Sequence, residues 1–150
     1  LFDTSYVCAM RKGHALAKNR LTAEQFAAAE HLLVSLSGNT NSPTDQALQQ
    51  LGLSRRVAFT VNHFASAIPI IRESDLIAIL PTDLLHRFLP CDDLAIVYPP
   101  VDIPHTSISM LWHKRQSVDD GLIWLRRHIK KIFVERREQQ VREVQQCICA

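Results

Sequence analysis

Two kinds of hydrophobic pattern alternate along this chain: apolar runs of five or six residues, and longer stretches in which apolar residues recur three or four positions apart. Side chains switch faces at every step of a strand and return to one face every 3.6 residues of a helix, so the first kind predicts strands and the second helices. The run from Tyr6 to Met10 is strand-like and is broken by Lys12, Gly13 and His14. Thr22 offers an N-cap for a short helix reaching about Ala28. Residues 31–36 read as a buried strand closed by a polar cluster, Ser37 to Ser42. With Ser42 as cap and Pro43 in the first turn, a helix follows whose apolar face is Ala47, Leu48 and Leu51 and which stops at Gly52.

The same logic then repeats. Residues 56–61 alternate as a strand, run into Asn62 and His63, and lead to a helical stretch in which Pro69 is expected to bend or shorten the helix around residues 65–68. Residues 76–80 are apolar throughout, as in a strand covered on both faces, and Pro81 ends them. Thr82 is expected to cap a helix over residues 83–89. A strand over 94–98 and a proline-rich turn precede a second alternating run, 107–113, with Trp112 expected in the core. Ser117 then caps a final helix carrying Leu122, Leu125, Ile129 and Ile132 at helical spacing, with Trp124 also expected inside. Beyond Phe133 the pattern turns polar and Gln-rich, which predicts a frayed or solvent-facing tail over 134–150. Helices alternating with apolar strands give an α/β class with a largely parallel sheet.

At 150 residues and 47% apolar, the chain is large enough to bury one ordinary core. Its 17 basic and 15 acidic residues leave a charge of +2, far from the concentrated basic field of a nucleic-acid binder. The cluster Arg126, Arg127, Lys130, Lys131, Arg136 and Arg137 reads as a solvated helix face. Cys8, Cys91, Cys147 and Cys149 have no disulfide-framework spacing, and no export signal precedes them, which points to a reducing cytoplasm. No apolar run approaches the length of a membrane span. An opening on Leu1, directly ahead of a strand-like run, is expected of a segment of something longer.

Enzyme chemistry finds no foothold. The chain has no nucleophile elbow, no phosphate-binding Gly-Lys loop, no dinucleotide-binding glycine pattern and no zinc-protease helix motif, so neither catalytic residues nor a cofactor are expected. His105 and His113 stand eight apart on either side of a strand, His14 packs or faces solvent, and Cys147 with Cys149 lacks further ligands, so no metal site is expected.

Taken in order, YVCAMRKGHALA, LTAEQF, HLLVSLSG, LGLSRRVAFTVNHFASAIPIIRESDLIAILP and ISMLWH with the Trp124 helix resemble the effector-binding domain of bacterial LysR-type transcriptional regulators. The resemblance covers the chain through about Phe133 and is nearest to regulators sensing aromatic acids or flavonoid-like inducers. It implies a type II periplasmic-binding-protein-like fold of two lobes joined by crossover strands, with the first lobe incomplete. Residues 12–80 would be the second lobe, 1–11 and 81–133 the remainder of the first, and 134–150 a polar tail. The crossovers would lie around Ala9 to Arg11 and Ile79 to Thr82. It further implies a small-molecule effector, self-association as a dimer or higher oligomer, and DNA contact only through an N-terminal region absent here.

In an open α/β sheet, ligands sit beyond the carboxyl ends of the strands. Ser35, Ser37, Gly38 and Thr40 supply hydroxyls and approachable amides there. Asn62, His63 and Phe64 stand at the next helix start, where about half a unit of positive charge favours a carboxylate. Phe64 offers a ring face, His63 a donor, and Thr82 a third contact after the hinge strand. These residues suit a small anionic, aromatic metabolite. A free-standing solute-binding protein of the same fold is the competing reading, which an export signal on the full-length gene would favour. A purely structural oligomerisation domain is a third, separable by calorimetry against a metabolite panel.

Overall fold

The computed structural model describes residues 1–35, 38, 42–85, 88 and 92–148. Strands β1 (Phe2–Thr4) and β2 (Tyr6–Arg11) open the chain. A short 3-10 turn (Ala15–Lys18) leads to α1 (Ala23–Ala28). Thr22 caps α1 as expected: its hydroxyl accepts the Gln25 N–H at 3.2 Å, and the Gln25 side-chain oxygen accepts the Thr22 N–H at 3.1 Å. There follow β3 (Glu30–Val34), α2 (Pro43–Gln50), β4 (Arg56–Val61), α3 (Phe64–Arg72), β5 (Ile77–Pro81) and α4 (Thr82–Leu85). The chain continues through β6 (Leu94–Val97) and β7 (Thr106–Ile108) to a long α5 (Asp120–Ile148). Gly52, at φ +71°, takes the left-handed position that ends α2.

Five strands form one sheet in the order β4-β3-β5-β2-β6. β3 is parallel to β4 and β5, while β2 is antiparallel to β5 and β6. The sheet is therefore mixed rather than largely parallel; apolar periodicity marks a strand but carries no sign of its direction. β2 and β5 pair from Tyr6↔Pro81 to Ala9↔Ala78, which places Ile79 to Pro81 opposite Tyr6 to Cys8. β1 and β7 make a separate antiparallel pair, Phe2↔Ile108 to Thr4↔Thr106.

Successive residues of β2 feed two cores. Val7 and Ala9 join Leu32, Ile68, Ile71, Leu80 and Leu85, while Cys8 and Met10 join Phe26, Leu48, Ile77 and Val101. β5 divides in the same way, as its unbroken apolar run predicts for a strand covered on both faces.

Five local expectations need correction. The strand expected over 107–113 stops at Ile108, because its partner β1 is only three residues long and offers no ladder beyond that point. His113 instead opens a 3-10 turn, its Nδ1 accepting the Arg115 N–H at 3.2 Å. Trp112 and Trp124 are exposed rather than in the core: Trp112 donates from Nε1 to Ser117 Oγ and lies under the Arg126 guanidinium, and Trp124 stacks on His128. With its hydroxyl so engaged, Ser117 does not cap α5, and the Asp119 carboxylate accepts the Leu122 N–H at 2.8 Å instead. Finally, the polar tail is helical as far as Ile148, which packs against the Leu80 and Leu85 cluster. Its Arg, Glu and Gln residues are good helix formers, which offsets its weak apolar pattern. Pro69 does not shorten α3 either; the helix runs through it to Arg72, at the expense of one backbone donor.

Candidate functional site

Because β3, β4 and β5 run parallel, their carboxyl ends share one rim of the sheet, and antiparallel β2 brings its amino end to the same rim. Ser35 follows β3, Asn62 and His63 follow β4, and Thr82 follows β5, so the topology brings these sequence-predicted residues to one edge. Ser35 is tied in place by its N–H, which donates to the Val61 carbonyl at 2.9 Å. Gly38 is exposed and sits at φ +74°, a left-handed conformation that favours glycine. Ser37 and Thr40 lie outside the described residues.

The starts of α2 and α3 differ in charge. At α2 the Asp45 carboxylate accepts the Ser42 N–H at 2.8 Å and the Ser42 hydroxyl at 2.6 Å, so a negative charge already faces the helix dipole. At α3, His63 holds the cap position without a side-chain capping bond, and the first turn contains no acid. Asn62 and His63 are exposed there. Phe64 is half-buried and packs against the main core cluster, which anchors the first turn behind them.

Sequence reasoning missed Ser5. Its carbonyl accepts the Thr82 N–H at 3.0 Å and the Thr82 hydroxyl at 3.3 Å, and its own hydroxyl lies 3.1 Å from Thr82 Oγ1. Thr82 is thus a link between the two paired strands as well as the start of α4. The contact spans 77 positions and leaves no local trace in the pattern. One oxygen of Asp83, Oδ2, is buried next along the chain and accepts no hydrogen bond among the described residues.

Beneath the start of α2 lies a second group the sequence did not single out. Arg55, its side chain 1% exposed, donates from Nε to Asp45 Oδ1 at 2.7 Å. Its Nη2 reaches Ser42 Oγ at 2.9 Å and Asp45 Oδ2 at 3.1 Å, and its Nη1 donates to His31 Nδ1 at 3.1 Å. With Nδ1 accepting, the buried His31 carries its proton on Nε2 and donates to the Phe26 carbonyl at 2.8 Å. Burial brings His31 down to about 4, helped by the Arg55 charge and opposed by the Phe26 carbonyl and Asp45. Burial raises Asp45, but the bonds from Arg55 and Ser42 outweigh it and hold the carboxyl at about 2. The Cys8 thiol is pushed up to about 12 by its own burial, against the pull of Arg55.

A cavity of about 700 Å³ opens elsewhere, between Asn19 to Ala23, Val97 to Pro100 and Ile148, and none of the sequence-predicted ligand residues lines it. Its wall is mostly apolar side chain and proline, whereas the rim where β3, β4 and β5 end carries Ser35, Thr82 and the uncapped start of α3. Among the described residues no cluster of His, Cys, Asp and Glu has the arrangement of a metal site. Nor is any described helix long and apolar enough to cross a membrane.

Known proteins share this architecture. The regulatory domain of MexT, a transcriptional activator in Pseudomonas aeruginosa, superposes with a TM-score of 0.73 at 25% identity, over 85% of this chain and 60% of that one. A putative transcriptional regulator from Vibrio parahaemolyticus shares the fold, with a TM-score of 0.70 over 95% of this chain and 61% of its own, at 22% identity. In sequence, the chain is 33% identical over 135 residues to the HTH-type transcriptional activator NagR of a Ralstonia species. It is 30% identical over 135 residues to the HTH-type transcriptional activator NahR of Pseudomonas putida. Each alignment covers 90% of this chain and 45% of the relative, so the chain spans a little under half the length of these regulators. The family model for the LysR substrate binding domain matches residues 1–133, and the chain belongs to that family.

Proposed function

We propose that the chain is a sensor for a small anionic, aromatic metabolite, which binds at the rim where β3, β4 and β5 end. The observation that carries this reading is the start of α3: a helix dipole that no acid and no capping side chain neutralises, on the rim that also bears Ser35 and Thr82. A carboxylate docked there gains the dipole and the exposed His63 as donor. In the complete protein, the five-stranded sheet with its two cores acts as one lobe, and the separate β1–β7 pair leads toward the other. The ligand biases the lobe arrangement through its differential affinity for the closed state, and so the oligomer that holds DNA. The DNA contacts come from outside this chain, and the whole works in the cytoplasm.

The test is a thermal-shift screen of aromatic carboxylates, starting from benzoate, followed by titration of each hit beside its matching amide. The carboxylate should bind about ten- to a hundredfold tighter, the equivalent of one charge-assisted hydrogen bond. His63→Ala should lose affinity while melting as the parent does, because the residue is exposed. Arg20→Ala, on the wall of the 700 Å³ cavity, is the control. Affinity lost there and kept in His63→Ala would move the site away from the rim.

A further inference from the structure

We infer that Arg55 is a positioning residue for effector binding, holding the start of α2 at a set distance from the end of β3. The inference rests on the reading that the rim binds an effector. The connection that carries Ser35 and Gly38 leaves β3 at one end and enters α2 at the other. Its first anchor is the bond from the Ser35 N–H to Val61. Its second is Ser42, and Ser42 is gripped from below by Arg55 and from the helix by Asp45. Because Arg55 immediately precedes β4 and also bonds His31 on β3, the grip refers α2 to two strands of the sheet at once.

A cap does not require this arrangement. Ser42 and Asp45 already close the start of α2 as a capping box, and a guanidinium 1% exposed carries a desolvation cost that a cap would not demand. What a buried arginine adds is direction: Nε, Nη1 and both donors of Nη2 point along fixed lines of a planar fork to three residues on two elements. Lysine offers a point charge on a flexible stem and cannot hold that geometry.

The experiment uses the whole chain with benzoate as probe. Arg55→Lys keeps the charge without the planar fork, and Arg55→Gln keeps a planar donor without charge or fork, so the second variant serves if the first folds poorly. Both should exchange the backbone amides of Asp45 and Gln46 at least about tenfold faster than the parent, with β3 and β5 unchanged. Both should bind benzoate about tenfold more weakly at temperatures well below melting. A clamp that merely stabilises would lower the melting temperature and leave that affinity alone, which would overturn the inference. Unchanged amide exchange would overturn it too. If the parent itself binds neither benzoate nor any other aromatic carboxylate, the effector reading fails first and the role of Arg55 falls with it.

Discussion

His31 shows how one buried side chain sets the acid limit of the fold. Its ring is fully buried, packs edge-on against Phe26 and spends both nitrogens on hydrogen bonds that require the neutral form. Its pKa in the folded chain is about 4, against 6.5 for a free histidine. Between those values the unfolded chain binds a proton that the folded chain refuses, so stability falls as pH drops from 6.5 toward 4. Asp45 acts in a lower window: its depressed pKa contributes stability above 3.8 that is lost as pH falls toward 2. Urea midpoints should therefore be clearly lower near about pH 5 than near about pH 7. His31→Gln, which can still accept from Arg55 and donate to Phe26, should flatten that difference. An equal drop in the variant and the parent would assign the effect to another group.

Among the elements, α3 allows the most direct test of helix physics. Pro69 lies inside it on the exposed side, where its missing N–H leaves the Ala65 carbonyl without its usual partner. Pro69→Ala should raise stability by about 1–2 kcal/mol, the interior penalty of proline less the entropy it removes from the unfolded chain. A higher urea midpoint with an unchanged slope would show it, and an unchanged or lower midpoint would mean the helix draws support from the ring. The elements legible in the sequence were those whose instructions are local. Thr22 with Gln25, Pro43, Gly52 and the unbroken apolar run of β5 each announce a boundary or a face within a few residues. β7 and α5 were misjudged because their extents depend on partners: β7 can be no longer than β1, and the polar end of α5 is rewarded by Ile148 reaching a core formed 50 residues and more earlier. The candidate site divides the same way. The rule that ligands meet the carboxyl ends of strands found Ser35, Asn62, His63 and Thr82. Nothing local distinguishes buried Arg55 from Arg56 beside it, which is exposed and paired with Glu30; only the fold does so.

On the scale of the whole molecule, the apolar residues are unevenly placed. Two well-filled cores flank the five-stranded sheet, yet from Ile108 to Val134 nine large apolar side chains stand exposed, Leu111 at 91% and Val118 at 83%. Patches of this kind associate. The chain should self-associate at tens of micromolar, corresponding to an affinity of about −6 to −7 kcal/mol. Replacing Trp124 and Leu125 by serine should shift light scattering toward the monomer without lowering the melting temperature, since neither side chain is buried. A parent chain that is already monomeric at that concentration would sink the prediction.

The length of α5 has a mechanical meaning. Its 29 residues make a rod of roughly 40 Å, held at Ile148 by the main core and at Phe133 by the stacked ring of Phe2. Such a rod is a lever: with Phe133 as fulcrum, a tilt of about 6° would sweep Asp120, roughly 20 Å away, through roughly 2 Å. That is the scale on which packed helices slide between alternative seatings. A change of angle too slight to disturb a single hydrogen bond at one end thus becomes, at Trp124, a displacement large enough for a neighbouring surface to register.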